Sequence, residues 1–399
     1  MKLGEMVSLV RGDTYKSSLL SETDGPVLLG LGSIERGGGF KRGSWKRYPG
    51  YTDIKILLHP GDIYVSLKDL TQSCDLLGAV SRVPDDLPVG RLTQDTVKLE
   101  SNSNVSEQER LYVYWSLRTP QYRAYCKARG TGTTNMSLSR ADFLAWELPP
   151  RSPVRDMLIA LFELIDKKIE LNNQLNGYLV ELVNSEFAKR FDSHGPKTPL
   201  KNVLSISTKS LNPQQHVGEV WEHYSIPAFD ATHWPTFELA DGIKSSKYVV
   251  DNNSILISKL NPSIKRMWVP ACLTDKAVCS TEFIVYKPLE SSHKSFYCAA
   301  INAEEFTAFL LEHVTGSTGS RQRTQPKATH NYPMPNPSRI EIESFCAFAD
   351  PIYQQIQANE IESQRLRSLR DALLPKLMSG EIDVSKVELT QLNSHLADC

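Results

Sequence analysis

Several features that would announce a membrane protein, a secreted protein or an enzyme are missing from this sequence. No run of about 18 apolar residues occurs in its 399 residues, so no transmembrane helix is expected. The stretch from Met1 to Arg11 places Glu5 and Arg11 where a signal peptide needs an uninterrupted apolar core, and a cytoplasmic location is therefore expected. The seven cysteines, at 74, 126, 272, 279, 298, 346 and 399, are an odd number without a C-x-x-C pair. Neither a disulfide framework nor a four-ligand zinc site is indicated, and the thiols are expected to be reduced and mostly buried.

Catalytic signatures are missing too. A base-flipping adenine methyltransferase needs Asn-Pro-Pro followed by Tyr or Phe. Here Asn212-Pro, Asn261-Pro and Asn336-Pro continue with Gln, Ser and Ser. The phosphate cradle G-x-x-x-x-G-K-[ST] is absent, and Gly37-Gly-Gly39 runs into Phe40-Lys-Arg, which reads as a flexible loop tip. The nine histidines form no H-E-x-x-H cluster. Asp62 and Lys68 could be forced into a nuclease-like pair, but Gly61-Asp62 reads better as a turn. Ser66 and Ser258 have no recognisable histidine partner and read as structural serines at strand ends.

Forty-five Lys and Arg against 46 Asp and Glu give a net charge of −1, which by itself argues against a polyanionic partner. Local charge differs. Residues 36–55 hold Arg36, Lys41, Arg42, Lys46, Arg47 and Lys55 against only Asp53, and residues 244–266 hold Lys244, Lys247, Lys259, Lys265 and Arg266 against only Asp251.

These two stretches belong to an internal repeat. Asp53 to Ser66 echoes Ser245 to Ser258: Lys55 matches Lys247, Ile63 matches Ile255 and Ser66 matches Ser258, each 192 residues apart. Both read as a short strand, a polar turn and a second strand. Further on, Gly130-Thr-Gly-Thr-Thr and Gly316-Ser-Thr-Gly-Ser are small-residue loops, each followed by a proline boundary, at Pro149 and Pro335. Both boundaries open into long helical patterns, from about Val154 to Phe191 and from about Ile342 to Met378. Leu158, Leu161, Ile165, Leu175, Leu179 and Leu182 define a seam in the first, with Lys168 and Asn172 in register. Ile352, Leu366, Leu369 and Leu373 define the second, with Asn359 in register 187 residues after Asn172. The expected fold class is α+β, with two β-rich domains separated by two long helices that pair as an antiparallel coiled coil. The boundaries read as 1–150 and 193–338 for the domains, 151–192 and 339–380 for the helices, and 381–399 for a tail.

Ile165-Asp-Lys-Lys-Ile-Glu-Leu-Asn-Asn-Gln-Leu-Asn176 is similar to the central helix of type I restriction-modification specificity subunits. Leu366-Arg-Ser-Leu-Arg-Asp-Ala-Leu-Leu-Pro-Lys-Leu-Met-Ser-Gly-Glu-Ile-Asp-Val384 resembles their C-terminal signature, and Ile255 to Pro262 with Cys279 to Phe283 resembles the interior of their target-recognition domains. The resemblance covers nearly the whole chain, more loosely in the first domain. It implies a non-catalytic subunit in which each domain reads one half of a split double-stranded DNA sequence. Implied partners are two modification (methyltransferase) subunits and motor-nuclease restriction subunits. This chain would bind no cofactor; S-adenosylmethionine, ATP and Mg are expected on the partners. A stand-alone sequence-specific or architectural DNA-binding protein is the alternative, marked by binding without partner subunits.

For base reading in a major groove, Arg and Lys suit guanine while Asn and Gln suit adenine. The first-domain candidates are Lys41, Arg42, Lys46, Arg47, Lys68 and Gln72, with Trp45 and Tyr48 interleaved. The second-domain candidates are Lys244, Ser245, Lys247, Lys259, Asn261, Lys265 and Arg266. Loops containing Arg129 and Asn135, and Arg321 and Arg323, suit phosphate contacts. A first helix of this length would span roughly 55 Å at 1.5 Å per residue, enough to act as a ruler between half-sites.

Overall fold

The computed structural model describes residues 1–43, 45–133, 135–191, 195–315 and 322–380. The loop Gly316 to Ser320, the candidate Arg321, the end of the C-terminal signature from Glu381, and the tail to Cys399 lie outside the described residues. The chain forms two compact units, one made of Met1–Lys167 with the chain from Leu366 onward, the other of Lys168–Arg365.

In the first unit, short apolar runs form a four-stranded antiparallel sheet in the order Val7–Arg11, Thr96–Ser101, Ile63–Ser66, Val80–Arg82. A smaller sheet holds Val27–Leu29 parallel to Gly90–Leu92, with Leu57–Leu58 antiparallel on the other side. Helix Glu107–Ser116 starts at a capping box in which Ser106 and Glu109 satisfy each other's backbone N–H groups. Helix Pro120–Arg129 starts with Thr119 as cap and proline in its first turn. Their aromatic faces, with Tyr112, Trp115 and Tyr122, pack onto the larger sheet, and Leu158 and Phe162 of the first long helix with Leu374 and Leu377 of the second close the same core.

The second unit repeats this plan. Leu204–Ser207, Phe283–Pro288, Ile255–Ser258 and Met267–Trp268 form the antiparallel four-stranded sheet in equivalent order. Its companion sheet again has a parallel pair, Val220–Tyr224 with Ala277–Cys279, and Lys247–Val249 antiparallel beside it, now extended by Ser210–Leu211 and Thr236–Leu239. The repeat extends to single bonds. Ser66 Oγ donates to the Lys68 carbonyl, and Ser258 Oγ donates to the Leu260 carbonyl at 2.9 Å. Outside that correspondence, Lys98 pairs with Asp62 at 2.8 Å. Both serines are thus structural, and Asp62 and Lys68 face different partners, since Lys68 pairs with Asp95 at 2.8 Å.

The long helices run Pro153–Arg190 and Arg339–Ser379 and pair antiparallel, as expected. Within the first unit, Arg155 donates to the carbonyls of Leu377 and Met378, and Asp166 pairs with Arg370. Within the second, Asn172 meets Asn359, and Asn176 meets Ile356. The seam differs from the predicted one. Leu158, Ile165 and Asn172 are buried, but Leu175 and Leu182 are 43% and 49% exposed, while Val183 and Phe187 are buried instead. The physical reason is which neighbour completes each turn: Phe162, Ile169 and Val183 are buried in one seven-residue row, each one position after the predicted Leu161, Lys168 and Leu182, so the apolar partner of the 158–165–172 row lies four residues on and not three.

All six described cysteines are free, and only Cys272 is not fully buried. Among the described residues, no helix is long and apolar enough to cross a membrane.

Candidate functional site

The clearest product of the repeat is a pair of equivalent loop junctions, one in each unit. In the first, the stretch after Ser66 pairs back onto a later loop: Lys68–Asp69 lies antiparallel to Met136–Ser137. Asp69 anchors the turn by accepting from the N–H groups of Thr71 and Leu76, at 2.8 and 2.6 Å. These bonds hold its carboxyl below the usual range against the burial that would raise it. Gln72 then reaches across, its amide donating to the Thr133 carbonyl at 2.7 Å. Lys68, Gln72, Arg129 and Asn135 therefore surround one junction. Gln72, Arg129 and Asn135 are exposed, and the Arg129 guanidinium lies 3.8 Å from the Tyr125 ring centroid.

The second junction has the same construction. Leu260 bridges Arg323, the Asn261 N–H donates to the Gln322 carbonyl, and the Thr324 N–H donates to the Lys259 carbonyl. This brings Lys259, Asn261 and Arg323 together, with Arg323 paired to Glu282 at 3.0 Å. Asn261 adopts φ of +47°, a left-handed conformation that asparagine tolerates better than most residues.

The other predicted residues fall elsewhere. Arg42 makes a bidentate contact to Asp86 at 2.7 and 3.0 Å, and its guanidinium holds the Asp86 carboxyl below its usual range. Lys46 pairs with Glu22, Arg47 donates to the Gly25 carbonyl at 3.0 Å, and the half-buried Lys41 bonds through its backbone N–H to Ser33. Trp45 and Tyr48 turn inward: Tyr48 is buried with the Arg91 guanidinium 4.8 Å from its ring, and Trp45 packs on the core of the smaller sheet. In the second unit, Lys244 and Ser245 are exposed, but Lys247 is buried and its ammonium donates back to Ser245. Burial also pulls the Lys247 pKa below its ordinary value. Lys265 is exposed and donates to the Asn302 carbonyl. Arg266 is buried and held bidentate by Asp230 at 2.6 and 2.8 Å.

The paired asparagines form a polar node inside the second unit. Asn172 Nδ2 donates to Glu362 at 2.8 Å and Ser363 at 3.2 Å, Asn359 Nδ2 donates to Asn176 at 2.7 Å, and Lys168 pairs with Glu362 at 3.1 Å. A satisfied polar node in an apolar seam favours one register over its neighbours.

No family model matches the sequence. The chain is 25% identical over 318 residues to the type I restriction enzyme MjaIX specificity subunit of Methanocaldococcus jannaschii, covering 69% of this chain and 70% of that protein. Its fold is similar to the type I restriction-modification S subunit of M. genitalium, with a TM-score of 0.54, 15% identity and 95% of both chains covered. The chain is thus similar in sequence and in fold to type I specificity subunits. The HsdS subunit of Thermoanaerobacter tengcongensis also aligns over 96% of both chains, at 15% identity and a TM-score of 0.34.

A second apolar surface lies beside the predicted seam on the first long helix. Met157, Leu164, Leu171 and Tyr178 recur every seventh residue on the first long helix and are all more than half exposed. Leu175 and Leu182 join them. The sequence carried this signal, since the second apolar stripe is legible once the buried seam is removed. Among the described residues, no three His, Cys, Asp or Glu side chains gather as metal ligands.

Proposed function

We propose that this chain is the DNA sequence-specificity subunit of a type I restriction-modification complex. It reads a two-part target, one half with each unit, and positions modification and restriction subunits on the DNA. The carrying observation is the duplicated loop junction. Two copies of one scaffold present unlike side chains around equivalent junctions, Lys68, Gln72, Arg129 and Asn135 in one and Lys259, Asn261 and Arg323 in the other. Unlike loops on like scaffolds suit two unlike half-sites. The remaining surface cations, Arg42, Lys46, Lys244 and Lys265 exposed and Lys41 and Arg47 half-buried, suit phosphate positioning, which supplies affinity without sequence information.

In this reading residues 1–150 and 193–338 are target-recognition domains, and 151–192 with 339–380 form the platform for partners. The exposed heptad stripe from Met157 to Tyr178 supports that platform, because a second apolar seam on an already paired helix fits a further helix. Two modification subunits would bind S-adenosylmethionine, the restriction subunits ATP and Mg, and the whole would work in the cytoplasm. Co-expression with the modification subunit followed by methylome sequencing tests the proposal. The expected result is adenine methylation at a split sequence, with none from the isolated chain; S-adenosylmethionine-dependent methylation by the chain alone would overturn it.

A further inference from the structure

Two large apolar side chains stand almost wholly in solvent on one loop of the first unit, Tyr51 at 91% exposure and Ile54 at 78%. The loop is not loose. On one side Tyr48 is buried beside Arg91, and between the two exposed residues Thr52 Oγ1 accepts from Arg91 Nε at 3.2 Å. Arg91 is itself fixed by the carbonyls of Asp13, Thr14 and Leu92. On the other side Asp53 accepts from the Lys55 N–H at 3.0 Å and so caps a short turn, whose last residue, Ile56, enters the core of the smaller sheet. The loop's ordering entropy has thus been lost on folding, so a ligand meeting Tyr51 and Ile54 does not have to order them. Its flanking charges are Arg47 and the exposed Lys55, and the one acidic residue between them, Asp53, is engaged in the cap.

The equivalent loop of the second unit is chemically different. Strands Leu57–Leu58 and Lys247–Val249 hold the same place in their sheets, antiparallel to Gly90–Leu92 and Ala277–Cys279. Ahead of Lys247, Ile243 is buried, and the exposed residues are Lys244, Ser245 and Ser246. A surface for a partner common to both units would be repeated in both. An apolar tip in one and a polar tip in the other is instead the pattern expected of surfaces facing two different DNA sequences.

We infer that Tyr51 and Ile54 form an apolar reading tip that contacts base edges in the major groove and selects a thymine by its 5-methyl group. The inference rests on the DNA-reading function proposed above. Among the major-groove edges of the four bases, the thymine methyl is the apolar group, and an apolar side chain favours it by taking its surface out of water. The neighbouring Lys55 supplies a phosphate contact that carries no sequence information.

The test uses the complex assembled with its modification subunits and the target found by methylome sequencing. Each thymine of the target is replaced in turn by deoxyuridine, which removes only the methyl group. For the unsubstituted protein, one replacement in one half-site lowers affinity about four-fold, the value of roughly one buried methylene. In Ile54→Ala or Tyr51→Ser that replacement no longer matters, and the methylome shows relaxed choice at that position while the other half-site is unchanged. Both side chains are exposed, so unaltered thermal unfolding of the variants is expected and is checked in parallel. If sensitivity to the methyl persists in both variants, if both half-sites weaken equally, or if no thymine replacement has an effect, the reading tip is rejected while two-part recognition stands. Failure of the underlying function looks different: the unsubstituted complex would methylate no split sequence at all.

Discussion

The two units share a sheet plan yet hold the long helices by different means. In the first, an ion cluster is added to the apolar contact of Leu158, Phe162, Leu374 and Leu377. Arg82 pairs with Glu163 at 2.9 Å, the Trp115 indole donates to the same carboxylate at 2.6 Å, and Asp166 is shared by Arg118 at 2.9 Å and Arg370 at 2.6 Å. In the second, Phe187 of the first long helix and Phe191 just past its end meet Phe296 and Phe345, with ring centroids between 5.1 and 6.0 Å. A contact between His233 Nδ1 and the Glu360 carboxylate at 3.1 Å accompanies them. The lesson is that one architecture tolerates either a directional, desolvated ion cluster or a non-directional apolar one.

The largest expected effects come from breaking each attachment. Phe296→Ala removes a fully buried ring and should lower the stability of the second unit by about 3–5 kcal/mol. Arg118→Ala strands part of the Asp166 charge and should cost the first unit about 3–5 kcal/mol, whereas replacing Arg118 and Asp166 together by apolar residues should cost far less. Amide hydrogen exchange resolves the two units. Loss of protection in the unaltered unit, in either variant, would contradict the separate attachments.

Acid sharpens the same contrast. Burial would raise the Asp166 carboxyl, but Arg118 and Arg370 outweigh it and hold the pKa below the ordinary 3.8. The folded state therefore binds fewer protons than the unfolded one. This contribution is complete above about pH 4 and is lost as pH falls through the depressed value. The first unit should then lose protection as the pH falls below 3.8 with a dependence that Asp166→Asn abolishes, while the phenylalanine cluster of the second does not titrate.

A smaller effect is expected at the polar node. Asn172→Leu combined with Asn359→Leu should stabilise the second unit by roughly 1 kcal/mol while permitting more than one helix register, detectable by cysteine cross-linking along the pair. Smallest in stability are the exposed cations. Arg42→Ala and Lys46→Ala should each change folding by less than about 1 kcal/mol, because solvent screens such pairs. In the assembled complex the two together should weaken binding to all DNA sequences and reduce the salt slope by about two; altered half-site bases would mark them as readers instead.

Much of this plan was legible in the residues. The 192-residue offset found from Ile63, Ser66, Ile255 and Ser258 holds in sheet order and in the serine hydrogen bonds, since a strand, a turn and a strand leave a local signature. Asn172 and Asn359 stood out because a polar residue interrupts an apolar period, and they do meet. Tyr48 and Tyr51 were not distinguishable: both lie in one basic loop, and only the placement of Arg91 makes the first a buried anchor and leaves the second exposed. Asp166 likewise reads as an ordinary charge on a helix surface. Nothing local says that Arg118, 48 positions earlier, and Arg370, 204 later, converge on it.

The sequence by itself determined the duplication, the two long helices and their polar node, because periodicity and repeat are properties of neighbouring residues. The tertiary structure decided which of two apolar stripes became the seam, which cations became buried structural groups, and which aromatic faced solvent. Those choices depend on desolvation, and desolvation is set by residues far away in the chain that fold against each site.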